Sequence, residues 1–267
     1  MLHPPLKKFG QNFLISPAVA KKIVIAAELK SSDTVLEIGP GKGVLTALMA
    51  DQCHRVWAVE IDPRMTETLK TTFGHNDKVR IVNQDILRYD FDDIIKGSGG
   101  SFNVVANLPY NITVPILEKL INCRQHIARI IVMVQKEMAD RLSAKPGNKN
   151  YGSLSIFVQY YLTVEKLFLV LPGSFFPKPK VTSSVIKLIP HEMPSAILED
   201  ESDFFNFVKS CFSQRRKMLR SGLKQQNKWG QGDVSRVSTE LDLTRRAETL
   251  NLYEFVKLYN LLRTDQQ

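Results

Sequence analysis

The sequence predicts an α/β fold: a mostly parallel sheet of seven strands with helices between them, then a small all-helical C-terminal domain. Three observations predict it. Short β-branched runs alternate with amphipathic stretches through the first half of the chain, the pattern of βα units joined by right-handed crossovers. The first of these runs ends in a glycine-rich turn, Gly39-Pro-Gly41-Lys-Gly43. From residue 204 onward the strand signal stops and only helical periodicity remains.

The elements follow in order. Residues 15–30 carry Val19, Ile23, Val24 and Ala27 on one face, with Ser16 as N-cap and Pro17 at the first helical position. Thr34 to Ile38 reads as a strand, and Val44 to Ala50, past the glycine turn, as a helix. Arg55 to Glu60 is the second strand, closed by Asp62-Pro63, with a helix over Arg64 to Thr72. Lys78 to Asn83 and Phe102 to Ala106 are the third and fourth strands. A helix over Pro115 to Leu120 leads to the fifth, Ala128 to Val134. Lys145 to Gly152 (KPGNKNYG) predicts an exposed, mobile loop. Leu162 to Leu169 and Ser184 to Ile189 predict a terminal antiparallel pair. The polar segment His191 to Asp203 marks a boundary between a domain of residues 1–198 and one of 199–267.

Composition excludes several classes. Hydrophobic residues form 43 % of the 267 residues and charged residues 24 %, an ordinary globular balance that rules out disorder as the main state. No run approaches the ~18–20 apolar residues of a membrane span, so no membrane partner is expected. MLHPPLKKFG has no apolar h-region, so no secretory leader is expected. The three cysteines, Cys53, Cys123 and Cys211, lie far apart with no CxxC, which predicts neither disulfides nor a metal site and suits a reducing cytoplasm. Nothing suggests a large self-complementary surface, and a monomer is expected. The formal net charge of +9 permits a polyanionic partner.

The chemistry begins at the glycine turn. Glycines there let the chain turn tightly and let a ligand approach the main chain. Residue 44 is Val, so the dinucleotide pattern G-x-G-x-x-G is not met, and Gly43 after Lys42 rules out a Walker loop. G-x-G-x-G preceded by the acidic Glu37 is instead the pattern of S-adenosylmethionine methyltransferases. Gly39 and Gly41 are therefore candidate donor contacts. Glu60, at the end of the second strand, can accept both hydroxyls of a ribose. Asp85, just past the third, can read an adenine edge. Three successive strand ends on one rim make an adenosyl site.

The fourth strand ends in Asn107-Leu108-Pro109-Tyr110, the form [DNS]-x-P-[YF] of enzymes that methylate exocyclic or amide nitrogens. Adenine N6 is a poor nucleophile because its lone pair is delocalised into the ring. The side-chain oxygen of Asn107 and the carbonyl of Leu108 can accept its two hydrogens and stabilise developing positive charge. Pro109 fixes the backbone, and Tyr110 can stack on the base. A second aromatic for the other face comes from Phe175-Phe-Pro177-Lys-Pro179-Lys-Val181: Phe175 is the first candidate, Phe176 the alternative, and Lys178 and Lys180 can meet phosphates. Lys209 to Lys228 holds seven basic residues and no acidic one. Arg215, Arg216, Lys217 and Arg220 would share one helix face as an RNA-backbone surface. Trp57, Trp229 and the histidines show no catalytic spacing.

With these motifs in view the chain resembles the KsgA-type small-subunit ribosomal RNA adenine N6,N6-dimethyltransferases. The resemblance rests on Lys8-Phe-Gly-Gln-Asn12-Phe-Leu14, Glu37 to Gly43, Val59-Glu-Ile-Asp62, Gln84-Asp85, Asn107-Leu-Pro-Tyr-Asn111, Tyr151-Gly-Ser-Leu-Ser155 and Phe175-x-Pro-x-Pro-x-Val181, in that order along nearly the whole chain. It implies a Rossmann-like class I S-adenosylmethionine methyltransferase fold. It also implies that Asn12, Leu14, Gly39, Glu60, Asp85 and Asn107 contact the donor. The implied substrate is a pair of adjacent adenosines in the 3′-terminal hairpin loop of 16S rRNA, each taking two methyl groups within an assembling small subunit. It further implies a part in late subunit assembly and in kasugamycin sensitivity, with the helical C-terminal domain helping to hold the subunit. The large-subunit, macrolide-resistance methyltransferases share the fold and the Asn-x-Pro-Tyr/Phe site and stand as the alternative, together with a binding factor whose methylation is secondary. Leu108 and the Phe9-Gly-Gln-Asn-Phe opening favour the small-subunit group. Intact Glu60, Asp85, Asn107 and Tyr110 favour catalysis.

Overall fold

The computed structural model describes residues 4–6, 9–215, 217–225 and 231–263. Its strands are β1 (Phe13–Leu14), β2 (Thr34–Ile38), β3 (Arg55–Glu60), β4 (Val79–Asn83), β5 (Phe102–Asn107), β6 (Ile127–Gln135), β7 (Leu162–Val170), β8 (Phe175–Phe176) and β9 (Ser183–Pro190). Its helices are α1 (Pro17–Ala27), α2 (Val44–Ala50), α3 (Pro63–Phe73), α4 (Asp92–Gly97), α5 (Thr113–Asn122), α6 (Lys136–Leu142), α7 (Ser153–Tyr161), α8 (Glu201–Ser213), α9 (Leu219–Gln225), α10 (Gln231–Val237) and α11 (Leu252–Arg263).

Seven strands form one sheet in the order β4-β3-β2-β5-β6-β9-β7, and β1 pairs with β8 in a separate two-stranded ladder. β2 to β6 run parallel, and β9 is antiparallel to β6. The chain winds outward from β2 in two directions, through β3 and β4 on one side and β5 and β6 on the other. The reversal between β2 and β5 opens a crevice at the carboxyl ends of the strands. That is where the glycine turn, Glu60 and Asn107 emerge.

Local sequence explains the supporting elements. The Ser16 hydroxyl accepts from the Val19 N–H at 3.4 Å, and Pro17 starts α1. Asp62 caps α3 in the same way, accepting from Arg64 N at 3.0 Å. Every residue of β2 is buried, as a central parallel strand requires. α1 and α2 pack Ile23, Val24, Leu45 and Met49 against Val35, Val56, Val105 and Ile131 of the sheet.

Sequence and structure differ in three places. The predicted terminal pair exists, but β9 inserts between β6 and β7, so the later strand is the inner one. The compact units divide as Met1–Ala139 with Thr163–Pro190, and Asp140–Leu162 with His191–Gln267. The second unit resumes at His191, the start of the expected boundary segment, and it also takes in Asp140–Leu162 with α7, an apolar segment beyond the reach of a boundary drawn from linker composition. Its own core joins Tyr151 and Ile156 to Phe204, Val208, Phe255, Leu258 and Tyr259.

The basic run is the third difference. α8 stops at Ser213 and α9 starts at Leu219, so Arg215 and Lys217 lie in the intervening turn and only Arg220 is helical. They do not share a helix face. Arg216 lies outside the described residues, as do Lys8 and Trp229. Arg215 donates from Nε to Glu248 at 2.6 Å and from its other end to the Lys149 carbonyl. Gly147 N in turn donates to the Glu248 carbonyl at 2.8 Å. The Lys145–Gly152 loop is exposed from Lys145 to Lys149 as expected, but Tyr151 is buried in the core and the loop is pinned rather than loose.

Candidate active site

Three parallel strands and the segment before α1 enclose one cleft. Asn12 and Leu14, Glu37, Gly39 and Gly41, Glu60, and Asn107 to Tyr110 all line it, with about 770 Å³ of empty space that opens to solvent. The glycine turn is possible because Gly39, Gly41 and Gly43 all adopt positive φ, at 66°, 56° and 77°. A Cβ at Gly43 would sit 2.5 Å from the Phe73 ring, so this position is closed to any side chain.

Glu60 is 4 % exposed and holds the turn in place. Its Oε2 accepts from Gly41 N at 3.0 Å and its Oε1 from Asp62 N at 2.9 Å. Each carboxylate oxygen keeps a second lone pair for a ligand hydroxyl. Burial pushes the Glu60 carboxyl above its ordinary range. Glu37 is deeper still. It is buried, accepts from the Thr46 hydroxyl at 2.5 Å, and desolvation, helped by the nearby Glu60, raises its pKa to about 8. Among the described residues, no group of His, Cys, Asp and Glu could hold a metal ion.

The segment before α1 is tied across the cleft at several points. Gln11 donates to Asp62 Oδ2 at 2.8 Å and accepts from Leu6 N at 2.8 Å. Asp62 also pairs with Arg64 at 2.6 Å, which holds its carboxyl down at about 2. Leu14 pairs with Phe175, and the Phe13 ring lies against Gly41, where a Cβ would come within 2.9 Å of it.

Asn107 ends β5. Its Nδ2 donates to the backbone carbonyl of Asn12 at 3.0 Å, which fixes the amide in one of its two orientations. Its Oδ1 is buried and has no hydrogen-bond partner. A buried acceptor without a donor is costly and demands an explanation. Beside it, Leu108 is buried and anchored by its N–H to the Met133 carbonyl at 3.1 Å. Pro109 holds φ −60° and ψ 124°, and its carbonyl accepts from the Thr113 hydroxyl at 3.1 Å. Tyr110 is half-buried, with its phenol 2.7 Å from the Ser183 hydroxyl.

Asp85, Phe175, Lys178 and Lys180 are not among the residues lining the cleft. Asp85 remains on the same rim, next in line after Glu60, and turns its Oδ1 to accept from Leu87 N at 2.9 Å. The first candidate for a stacking ring needs correction. Phe175 is 3 % exposed and packed in the core with Leu14 and Val185, so it offers a base no open face, whereas Phe176 is 56 % exposed. Alternation along β8 separates the two, one ring in and the next out. Gln11 and Ser183 received no role from the sequence. Gln11 sits inside a quoted motif, but a lone serine at a strand start carries no signal.

A family model described as ribosomal RNA adenine dimethylase matches residues 5–263. The chain belongs to this family. The small-subunit methyltransferase A of Geobacter metallireducens is 42 % identical over 256 residues, covering 94 % of this chain and 93 % of the relative. That of Geobacillus sp. (strain WCH70) is 43 % identical over 265 residues, covering 96 % and 91 %. Among solved structures, a dimethyladenosine transferase from Plasmodium falciparum superposes with a TM-score of 0.80 at 30 % identity, over 92 % of this chain and 95 % of that one. The 23S rRNA methyltransferase ErmE shares the fold, with a TM-score of 0.75 at 23 % identity over 95 % and 100 %. The seven-stranded sheet is thus the class I methyltransferase fold.

Proposed function

We propose that this dimethylase transfers methyl groups from S-adenosylmethionine to N6 of adjacent adenosines in the 3′-terminal hairpin loop of 16S rRNA, on an assembling small subunit. One observation supports the chemistry: Asn107 lines the cleft, is held by Asn12 through Nδ2, and keeps a buried oxygen with no hydrogen-bond partner. An exocyclic amine supplies the hydrogen that this oxygen lacks.

The donor, when bound, supplies an electrophilic methyl group on a sulfonium. Everything else falls to the chain. Glu60 accepts the ribose hydroxyls with its remaining lone pairs, Asp85 at the next strand end reads the adenine edge, and Asn12 and Leu14 cover the ligand. Asn107 Oδ1 and the Leu108 carbonyl accept the two N6 hydrogens, turning the nitrogen lone pair away from the base plane. Alignment and electrostatics carry the rate, with no strong base, because a methylated anilinium-like nitrogen loses its proton readily. Tyr110 supports one face of the base and Phe176 presents the exposed ring of the β8 pair. Lys178 and Lys180 meet phosphates.

The deciding experiment offers purified protein and radiolabelled donor to unmethylated small subunits, large subunits and protein-free rRNA, then identifies the modified nucleoside. Dimethyladenosine confined to small subunits is the expected result. Label in large-subunit rRNA would move the protein to the resistance-type activity. No label with donor binding intact would leave a binding factor.

A further inference from the structure

We propose that Ser183 is a positioning residue for Tyr110, and that the bond between them governs the second methyl transfer more than the first. The inference rests on the N6-dimethylation reading above. Ser183 opens β9, is fully buried, and is set against Gln135 of β6 in the sheet register. Lys136 N donates to the Thr182 carbonyl at 2.9 Å, so the approach to Ser183 is clamped by the main chain as well. The hydroxyl therefore sits on one of the most rigid parts of the unit. It meets the Tyr110 phenol at 2.7 Å.

Tyr110 is fixed at its other end too. Its backbone follows Pro109 and opens a short 3-10 turn whose carbonyl accepts from the Thr113 hydroxyl at 3.4 Å. A tyrosine side chain has two torsions between its Cα and its ring. Pinning both the backbone and the phenol oxygen fixes the ring axis, and with it the surface on which a base would rest. A phenylalanine at this position would have the same ring without the second anchor.

The two transfers differ in what else holds the base. Before the first, N6 carries two hydrogens, one for Asn107 Oδ1 and one for the Leu108 carbonyl. After it, one hydrogen is replaced by a methyl group, and one of the two acceptors loses its partner. Alignment for the second transfer then depends more on the stacking surface, hence on the Ser183–Tyr110 bond. A neutral hydrogen bond of this kind contributes up to about 1.4 kcal/mol, or about 10-fold in rate.

The test compares wild type, Ser183→Ala, Tyr110→Phe and the double variant on small subunits lacking the modification, at saturating donor. Digested RNA is resolved by mass spectrometry into N6-methyl- and N6,N6-dimethyladenosine over time, and donor Kd is measured separately. In Ser183→Ala the donor Kd stays within about 2-fold, the first transfer slows by about 3-fold or less, and the second by about 10-fold, so monomethyladenosine accumulates. Tyr110→Phe gives the same shift, and the double variant is no worse than either single one, since both remove one bond. An unchanged mono-to-dimethyl ratio in Ser183→Ala overturns the proposal. So do effects that multiply in the double variant, or a parallel loss of both transfers together with donor binding. Absence of any methyladenosine from wild type would instead sink the underlying dimethylation reading.

Discussion

On the glycine-turn side of the cleft, both oxygens of Glu60 accept backbone N–H groups, and Asp62 behind it is met by Gln11 and Arg64. On the opposite side, Asn107 spends its Nδ2 on the Asn12 carbonyl and leaves Oδ1 bare. The first side is pre-organised and already satisfied, so a ligand gains there by adding bonds to a finished frame. The second keeps an unpaired acceptor, and in the reaction proposed above an amine meets it as charge develops. On that proposal the first side binds and the second catalyses.

The sharpest way to break that contrast is to exchange the effects. Asn107→Ala is expected to lower the rate of both transfers by about 10³-fold or more at saturating donor, the scale of losing a transition-state acceptor. Glu60→Ala should weaken donor binding about 10- to 100-fold while the rate at saturating donor holds within a few-fold. Calorimetry with the donor and single-turnover methylation measure the two quantities. Comparable rate losses in both variants would erase the distinction.

The next largest effect tests the two neighbouring rings. Phe175→Ala should cost about 3–5 kcal/mol of stability, the usual penalty for emptying a buried aromatic site, seen as a lower denaturant midpoint at unchanged slope. Phe176→Ala should leave stability within about 0.5 kcal/mol and raise the KM for small subunits. If Phe176→Ala leaves that KM unchanged, the exposed ring has no part in holding RNA.

Much of this was legible before any coordinates. The strands β2 and β3 and the helix α2 fall where their apolar runs predict, because central parallel strands carry unbroken hydrophobic sequence and tight glycine turns punctuate them. Glu60 and Asn107 were readable as strand ends. What was hidden depends on distant pairing. β1 and β8 are two residues each and exist only because Phe13 meets Phe176 and Leu14 meets Phe175. The inward turn of Phe175 and outward turn of Phe176 follow from that ladder, which no local pattern encodes. Arg215 reads as a free cation in a basic run, and its partner Glu248 is 33 residues away.

Glu37 offers a pH handle on the binding side. Its carboxyl keeps its proton up to about 8 in the folded chain but would release it near its ordinary 4.5 once unfolded. Between those values the folded state binds more protons, so this group makes stability fall as pH rises through the window. Glu37→Gln cannot ionise and should flatten the fall, gaining about 2 kcal/mol relative to wild type between pH 6 and pH 8. Urea midpoints measured at both pH values test it. A parallel fall in both proteins would show that Glu37 does not hold its proton.

The smallest expected effect separates charge that is available from charge already used. Lys178 and Lys180 are exposed beside the ring of Phe176, whereas Arg215 is committed to Glu248 and the Lys149 carbonyl. A cation that neutralises a carboxylate releases few counterions when RNA arrives, while a solvated lysine on a phosphate releases nearly one. Replacing Lys178 and Lys180 together by Ala should therefore reduce the slope of log affinity against log salt by roughly 1.5, at about 0.7 to 0.9 per contact. Arg215→Ala should leave that slope unchanged and cost at most about 1 kcal/mol of stability, the worth of a partly exposed ion pair. Filter binding of small subunits across a salt series reads both. A slope that drops for Arg215→Ala would mean that RNA displaces Glu248 and takes the guanidinium for itself, making the turn between α8 and α9 part of the RNA surface after all.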